Sequence, residues 1–61
     1  MEYSLTPDEV RDARQKLGMT QEAMSLELGM NQDAVRSWER GRNPCRGPAV
    51  LAIKYLLERV A

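Results

Sequence analysis

The sequence predicts an all-α fold of four short helices in one small domain spanning residues 1–61, with little chain left over for a fifth. Three observations carry that prediction. Glycines at 18, 29 and 41 each follow a stretch whose apolar residues recur with helical spacing. Good capping residues open those stretches. The hydrophobic share is 43%, carried by Leu, Val, Ala and Met with no Phe. A chain this short buries only about 60% of the surface its unfolded form exposes, and helices stacked stripe against stripe are the simplest way to make so small a core sufficient.

The first helix has a complete start signal. Thr6 can cap it, Pro7 suits its first position, and Asp8 and Glu9 complement the positive end of its dipole. Thr6 and Glu9 also have capping-box spacing, and Leu5 and Val10 have staple spacing. The stripe Val10, Ala13, Leu17 then runs to Gly18. Thr20 opens a second helix over Gln21 to Leu28, with Met24, Ser25 and Leu28 inward and Gly29 as its stop. Asn31 is expected to cap a third helix from Gln32 to about Arg40, ended by Gly41. Two short helices joined by only Gly29, Met30 and Asn31 match a helix-turn-helix arrangement, with the motif at about 20–40.

Residues 42–47 read as an irregular loop with a turn at Asn43-Pro44, and Pro48 starts a fourth helix reaching about residue 60. At 100° per residue, Ala49, Ala52, Ile53, Leu56 and Val60 form one face of that helix, flanked by Val50 and Leu57. Leu51 and Tyr55 fall on the other side, beside Lys54, Glu58 and Arg59. Two readings of this pair stand: apolar residues scattered on a surface by chance, or a dimer contact.

Composition excludes several chemistries. One cysteine and no histidine rule out a disulfide within the chain, a Cys/His zinc site, and any His-dependent triad or dyad. There is no Gly-rich phosphate loop, and a chain this size leaves no room for a substrate cavity of a few hundred Å³. No enzyme, cofactor, metal or small-molecule ligand is therefore expected. Met1-Glu2-Tyr3-Ser4 lacks the basic start of an export signal, and the longest apolar run, Ala49 to Ile53, is far short of a membrane span. A cytoplasmic protein without a membrane partner is expected.

Nine acidic and nine basic residues give a net charge of zero, which does not announce a nucleic-acid partner. The distribution is uneven, however. Residues 1–35 hold seven acids and three bases, whereas 36–46 hold Arg36, Arg40, Arg42 and Arg46 against Glu39 alone. The basic region thus begins inside the third helix. There Gln32, Asp33, Arg36, Ser37 and Arg40 span one arc of about 140°, opposite Ala34, Val35 and Trp38.

The segment from Gln21 to Trp38 resembles the helix-turn-helix of the Xre or Cro/repressor family of phage and bacterial regulators. The shared residues are Thr20-Gln21 at the helix start, Gly29 eight residues after Gln21, and Val35 and Trp38 on the inner side of the next helix. Trp38-Glu39-Arg40-Gly41-Arg42 followed by Pro44 looks like the family's close to the motif, and Arg14 with Leu17-Gly18-Met19 extends the likeness upstream. The resemblance covers roughly residues 6–57. Three departures stand out: Ser25 where the family usually has alanine, a more irregular stretch from Asn43 to Pro48, and little chain for the fifth helix with which many members dimerise. Serine is small enough to keep the two motif helices close if its hydroxyl bonds back to a carbonyl.

The resemblance implies that the second motif helix enters the DNA major groove while the first lies across the backbone. Base readout then falls to Gln32, Asp33, Arg36 and Ser37. Gln32 suits adenine and Arg36 suits guanine O6 and N7. Asp33 either orients Arg36 or another arginine, or accepts from a cytosine amino group. The alternative for the whole face is an ordinary solvated helix. Thr20 and Gln21 resemble a phosphate clamp at a helix start, and Arg40, Arg42, Asn43 and Arg46 can hold further phosphates or simply serve as solubilising loop residues.

Met24, Ser25, Leu28, Gly29, Val35 and Trp38 are expected to form the motif's core. Glu39 resembles the family glutamate that pairs with the first-helix arginine, here Arg14. Cys45 reads as an incidental small loop residue. The function implied is that of a small dimeric repressor reading an inverted-repeat operator on double-stranded DNA, acting at its own promoter. The alternative is an antitoxin or anti-repressor-like module that binds a partner protein with the same fold.

Overall fold

The computed structural model describes residues 4–60; the expectation of no export signal rests partly on residues 1–3, which lie outside them, as does residue 61. Helix α1 (Pro7–Leu17) begins at the capping box. The Thr6 amide donates to Glu9 Oε1 at 2.8 Å, and the Glu9 amide donates to Thr6 Oγ1 at 3.1 Å. It ends at Gly18, whose φ of 67° is left-handed. Helix α2 (Gln21–Glu27) is capped by Thr20 Oγ1, which accepts from the Ala23 amide at 3.0 Å. It stops one residue short of the predicted Leu28, and the chain reverses through Gly29 at φ 73°.

Helix α3 (Ala34–Glu39) is shorter at both ends than the stretch from Gln32 to Arg40 that the sequence predicts. Asn31 is not its N-cap. The Asn31 Oδ1 accepts from the Asp33 amide at 2.9 Å, a side-chain turn that holds Gln32 and Asp33 outside the helix. Asp33 is the N-cap and Arg40 the C-cap.

The stretch after α3 is not a plain loop. Strand β1 (Ser4–Leu5) pairs antiparallel with β2 (Cys45–Arg46), matching Ser4 with Arg46 and Leu5 with Cys45. This ladder turns Cys45 inward, so the incidental loop residue is a core residue with 1% exposure. Burial pushes its thiol up to about 11, which suppresses thiolate reactivity.

Helix α4 (Pro48–Val60) matches its predicted span, but its inner face is rotated. Val50, Ile53 and Leu56 are buried, Ala49, Ala52 and Leu57 are half-buried, and Val60 is 61% exposed. Larger branched side chains fill the space against α1, while Val60 in the last turn stays at the surface, on the rim of a shallow groove with Leu17, Met19 and Leu56. Val10, Ala13, Met24, Val35, Trp38, Cys45, Val50 and Ile53 make one core, drawn from every helix and from β2. Helix α1 packs against α3 and α4, and α2 against α3. Each large apolar side chain sealed there contributes about 1.5–3 kcal/mol relative to exposure. Among the described residues, no helix is long and apolar enough to cross a membrane.

Candidate nucleic-acid interface

The start of α2 and the turn into α3 face each other across an open cleft of about 610 Å³, lined by Thr20, Gln21, Glu22, Gln32, Asp33 and Arg36. A chain of this size was expected to have no concavity on this scale. The cleft exists because it lies between two elements on the surface and takes nothing from the core. All six lining residues carry hydrogen-bonding side chains, so the concavity suits a polar, hydrated partner.

The structure therefore brings together three of the four candidate base readers with both residues of the α2 clamp. Gln32, Asp33 and Arg36 are exposed, with Gln32 and Asp33 on the turn and Arg36 on α3 itself. Asp33 Oδ1 and Arg36 Nη1 are 3.9 Å apart, an ion pair at the outer limit with both side chains more than half exposed. At that distance Asp33 offsets the charge of Arg36 without holding it by a hydrogen bond. Ser37 is half-buried and lies outside the cleft lining. Arg40, Arg42, Asn43 and Arg46 are exposed and follow the other end of α3, away from the cleft lining. The site thus has an open polar concavity at the start of α3 and a cationic stretch beyond its end.

A buried polar cluster fixes the helices that frame this cleft. Arg14 Nε donates to Glu39 Oε2 at 2.7 Å, and Arg14 Nη2 donates to Glu39 Oε1 at 3.2 Å, a two-pronged pair between α1 and α3. Arg14 Nη1 also donates to the Met19 carbonyl at 3.2 Å, and Arg11 Nε lies 3.4 Å from Glu39 Oε1. Gln21 Nε2 donates to Glu39 Oε1 at 3.3 Å, which ties the start of α2 to the same carboxylate. A side-chain amide has two N–H donors, so the second remains available at the cleft. Burial alone would push the Glu39 carboxyl up, but the hydrogen bonds from Arg14 and Gln21 and the charges of Arg14 and Arg11 outweigh it. They hold the carboxyl below its ordinary range. The Glu39 hydrogen bond in turn raises the Arg14 guanidinium despite its own burial.

Ser25 is fully buried between α2 and α3. Its hydroxyl donates to the Gln21 carbonyl at 2.8 Å and accepts from the Val35 amide at 3.1 Å. Met24, Val35 and Trp38 are buried beside it and Leu28 is half-buried, whereas Gly29, expected in this core, is exposed because it forms the turn. Trp38 is 6% exposed and turned away from the cleft lining, so it packs rather than stacks on a base.

Sequence reasoning missed two residues. Glu22 lines the cleft, and its place directly after Thr20-Gln21 was the available signal. Arg11 joins the Glu39 cluster, and its spacing of three from Arg14 put both on one helix face. The candidate dimer residues Leu51 and Tyr55 are 59% and 61% exposed on α4. Arg59 lies over the Tyr55 ring, 5.8 Å from its centroid, and reaches Glu27 on α2 at 3.8 Å.

Comparison with curated proteins returns no match. A helix-turn-helix family model matches residues 10–44, more than half of the chain. That span holds α2, the Gly29 turn and α3, together with Arg14 and Glu39. The chain belongs to the Xre-like, phage-repressor type of helix-turn-helix, a family of DNA-binding regulators.

Proposed function

We propose that this protein is a small dimeric repressor that reads an inverted-repeat operator in the major groove, including one at its own promoter. The observation that carries this reading is the cleft that joins the α2 start to Gln32, Asp33 and Arg36. Gln32 presents an amide donor and acceptor together and pairs with adenine, while Arg36 pairs with guanine O6 and N7. Ser37, further along α3, contacts a base edge or phosphate at the margin. Thr20 and the second Gln21 N–H hold a phosphate, and Arg40, Arg42, Asn43 and Arg46 hold those past the end of α3. Repression follows from occupying the promoter and blocking polymerase.

Two copies are needed because the molecule measures 26 × 26 × 20 Å, less than the helical repeat of about 34 Å that separates successive half-sites. The exposed Leu51 and Tyr55 supply the contact between copies.

Binding-site selection from random duplex DNA, followed by gel shift on DNA upstream of the gene, tests this reading. The expected result is an enriched inverted repeat with half-site centres one helical turn apart. Recovery of no enriched sequence, with no shift even at low salt, overturns it. Copurification of a stoichiometric protein partner in that case supports the antitoxin or anti-repressor alternative.

A further inference from the structure

The three described helices with a defined N-cap do not begin alike. Thr6 and Thr20 have extended backbones, with φ/ψ of −72°/162° and −75°/166°, and each side chain accepts from the amide three residues on. Asp33 has φ −95° and ψ 1° and makes no side-chain cap hydrogen bond. Aspartate is among the strongest capping residues, so this is a vacancy with a cause. The Asn31 side chain, by accepting from the Asp33 amide, bends the chain into a turn just before α3. From that backbone the Asp33 carboxylate does not reach the first amides of α3.

One of those amides is satisfied from another helix. The Val35 N–H donates at 3.1 Å to the Ser25 hydroxyl, which sends its own proton to the Gln21 carbonyl at 2.8 Å. Ser25 is fully buried, so water does not compete for either bond. Asp33 meanwhile keeps a side chain that is 61% exposed and lines the cleft, and its contact with Arg36, at 3.9 Å, is too long to use up its lone pairs.

We infer that Ser25 is a positioning residue for DNA reading: it supplies the α3 cap from α2 and so leaves the Asp33 carboxylate free to accept from a cytosine amino group. This rests on the proposed reading of the cleft as a major-groove contact. An ionised carboxylate is acceptor-only, so it meets the cytosine N4 donor and is repelled by guanine O6 and N7 and by thymine O4. Arg36 beside it offsets its charge near the phosphates. Without the serine hydroxyl, the Val35 amide has no acceptor, and Asp33 relieves it by turning to the extended backbone that Thr6 and Thr20 adopt. That movement draws the carboxylate out of the cleft.

The test compares the wild type, Ser25→Ala, Asp33→Ala and the double variant, by binding-site selection and by thermal unfolding. The wild type is expected to select cytosine at one position of each half-site by about tenfold. Asp33→Ala loses that preference, and Ser25→Ala loses the same one while the adenine preference set by Gln32 stays. Asp33→Ala leaves the unfolding midpoint nearly unchanged in the wild type but lowers it by several degrees in the Ser25→Ala background, where Asp33 has become the cap. Ser25→Ala with lower affinity on every sequence and an intact cytosine preference overturns the inference.

A Ser25→Ala chain that does not fold moves the decision to hydrogen exchange at the Val35 amide. Protection unchanged in Asp33→Ala supports the serine cap, and protection lost there overturns it. A wild type that binds DNA without any sequence preference fails the repressor reading itself, an outcome separate from a preference that survives Ser25→Ala.

Discussion

At Glu39 a carboxylate only 3% exposed receives hydrogen bonds from Arg14 and Gln21 and the charge of Arg11. Because its folded pKa lies below the unfolded value, the stabilisation is fully present above about pH 4.3, the ordinary glutamate value. It is lost as pH falls through the folded pKa. Glu39→Gln leaves Arg14, itself only 20% exposed, without its partner and costs about 3 kcal/mol at neutral pH. Thermal unfolding followed by circular dichroism should therefore show a large gap between the two proteins at pH 7 that closes in acid. A gap of equal size at both pH values is the contrary result. Arg36 gives the second residue-scale expectation. Arg36→Ala weakens binding to the selected operator by about 1–3 kcal/mol and relaxes preference at one base pair, read by competition gel shifts. Equal loss on all sequences makes Arg36 a phosphate contact instead.

The elements depend on their ends, since α2 and α3 have only seven and six residues and helices this short are not stable alone. Gly29 shows the requirement cleanly. A Cβ there would meet nothing within 4 Å, so space is not the issue, but its φ of 73° is left-handed. Gly29→Ala is expected to cost about 1–2 kcal/mol through backbone strain alone, lowering the unfolding midpoint by about 4–8 °C for each kcal/mol. Thr6→Ala removes one half of the α1 capping box and costs about 1 kcal/mol. Thr6 is outside the cleft lining, so this variant should retain wild-type operator affinity at low temperature. A drop in affinity without a drop in stability would show that α1 contributes to the interface in another way.

For the whole molecule, the net charge of zero conceals a polarity that matters for DNA. On the proposed reading, the acidic N-terminal part would weaken non-specific attraction, while the arginines from 36 to 46 would keep the DNA-facing region cationic. If Arg40, Arg42 and Arg46 of each copy neutralise phosphates, six such contacts give a slope of about −5 in a plot of log affinity against log salt. Non-specific duplex binding should remain weak at the same salt. The dimer is tested through α4: Leu51→Glu with Tyr55→Glu places like charges on the proposed contact, both on exposed positions that leave the core intact. Sedimentation with operator DNA should then show single copies bound to half-sites with the steep two-copy transition lost. Unchanged two-copy binding moves the dimer contact elsewhere.

Much of the fold was legible because its signals are local. Thr6-Pro7-Asp8-Glu9 specifies a helix start through hydrogen bonds within four residues, and the left-handed glycines mark stops the same way. The Arg14 and Glu39 pairing came from family resemblance, since nothing local links residues 25 apart. The β1–β2 ladder was not legible: two residues per strand are too few for any periodicity, and the partners lie some forty positions apart. Cys45 was misjudged for that reason. The α3 boundary is not legible because an asparagine side chain can either cap a helix or close a turn two residues on, and here Asn31 does the second. By itself, then, the sequence determined the four helices, their stops and the helix-turn-helix spacing, all set by short-range capping and stripe patterns. Only the tertiary structure decided where α3 begins, which side chains share the cleft, and that the Ser25 hydroxyl of α2 accepts from the Val35 amide at the start of α3. Those outcomes depend on distances between elements that no local pattern encodes.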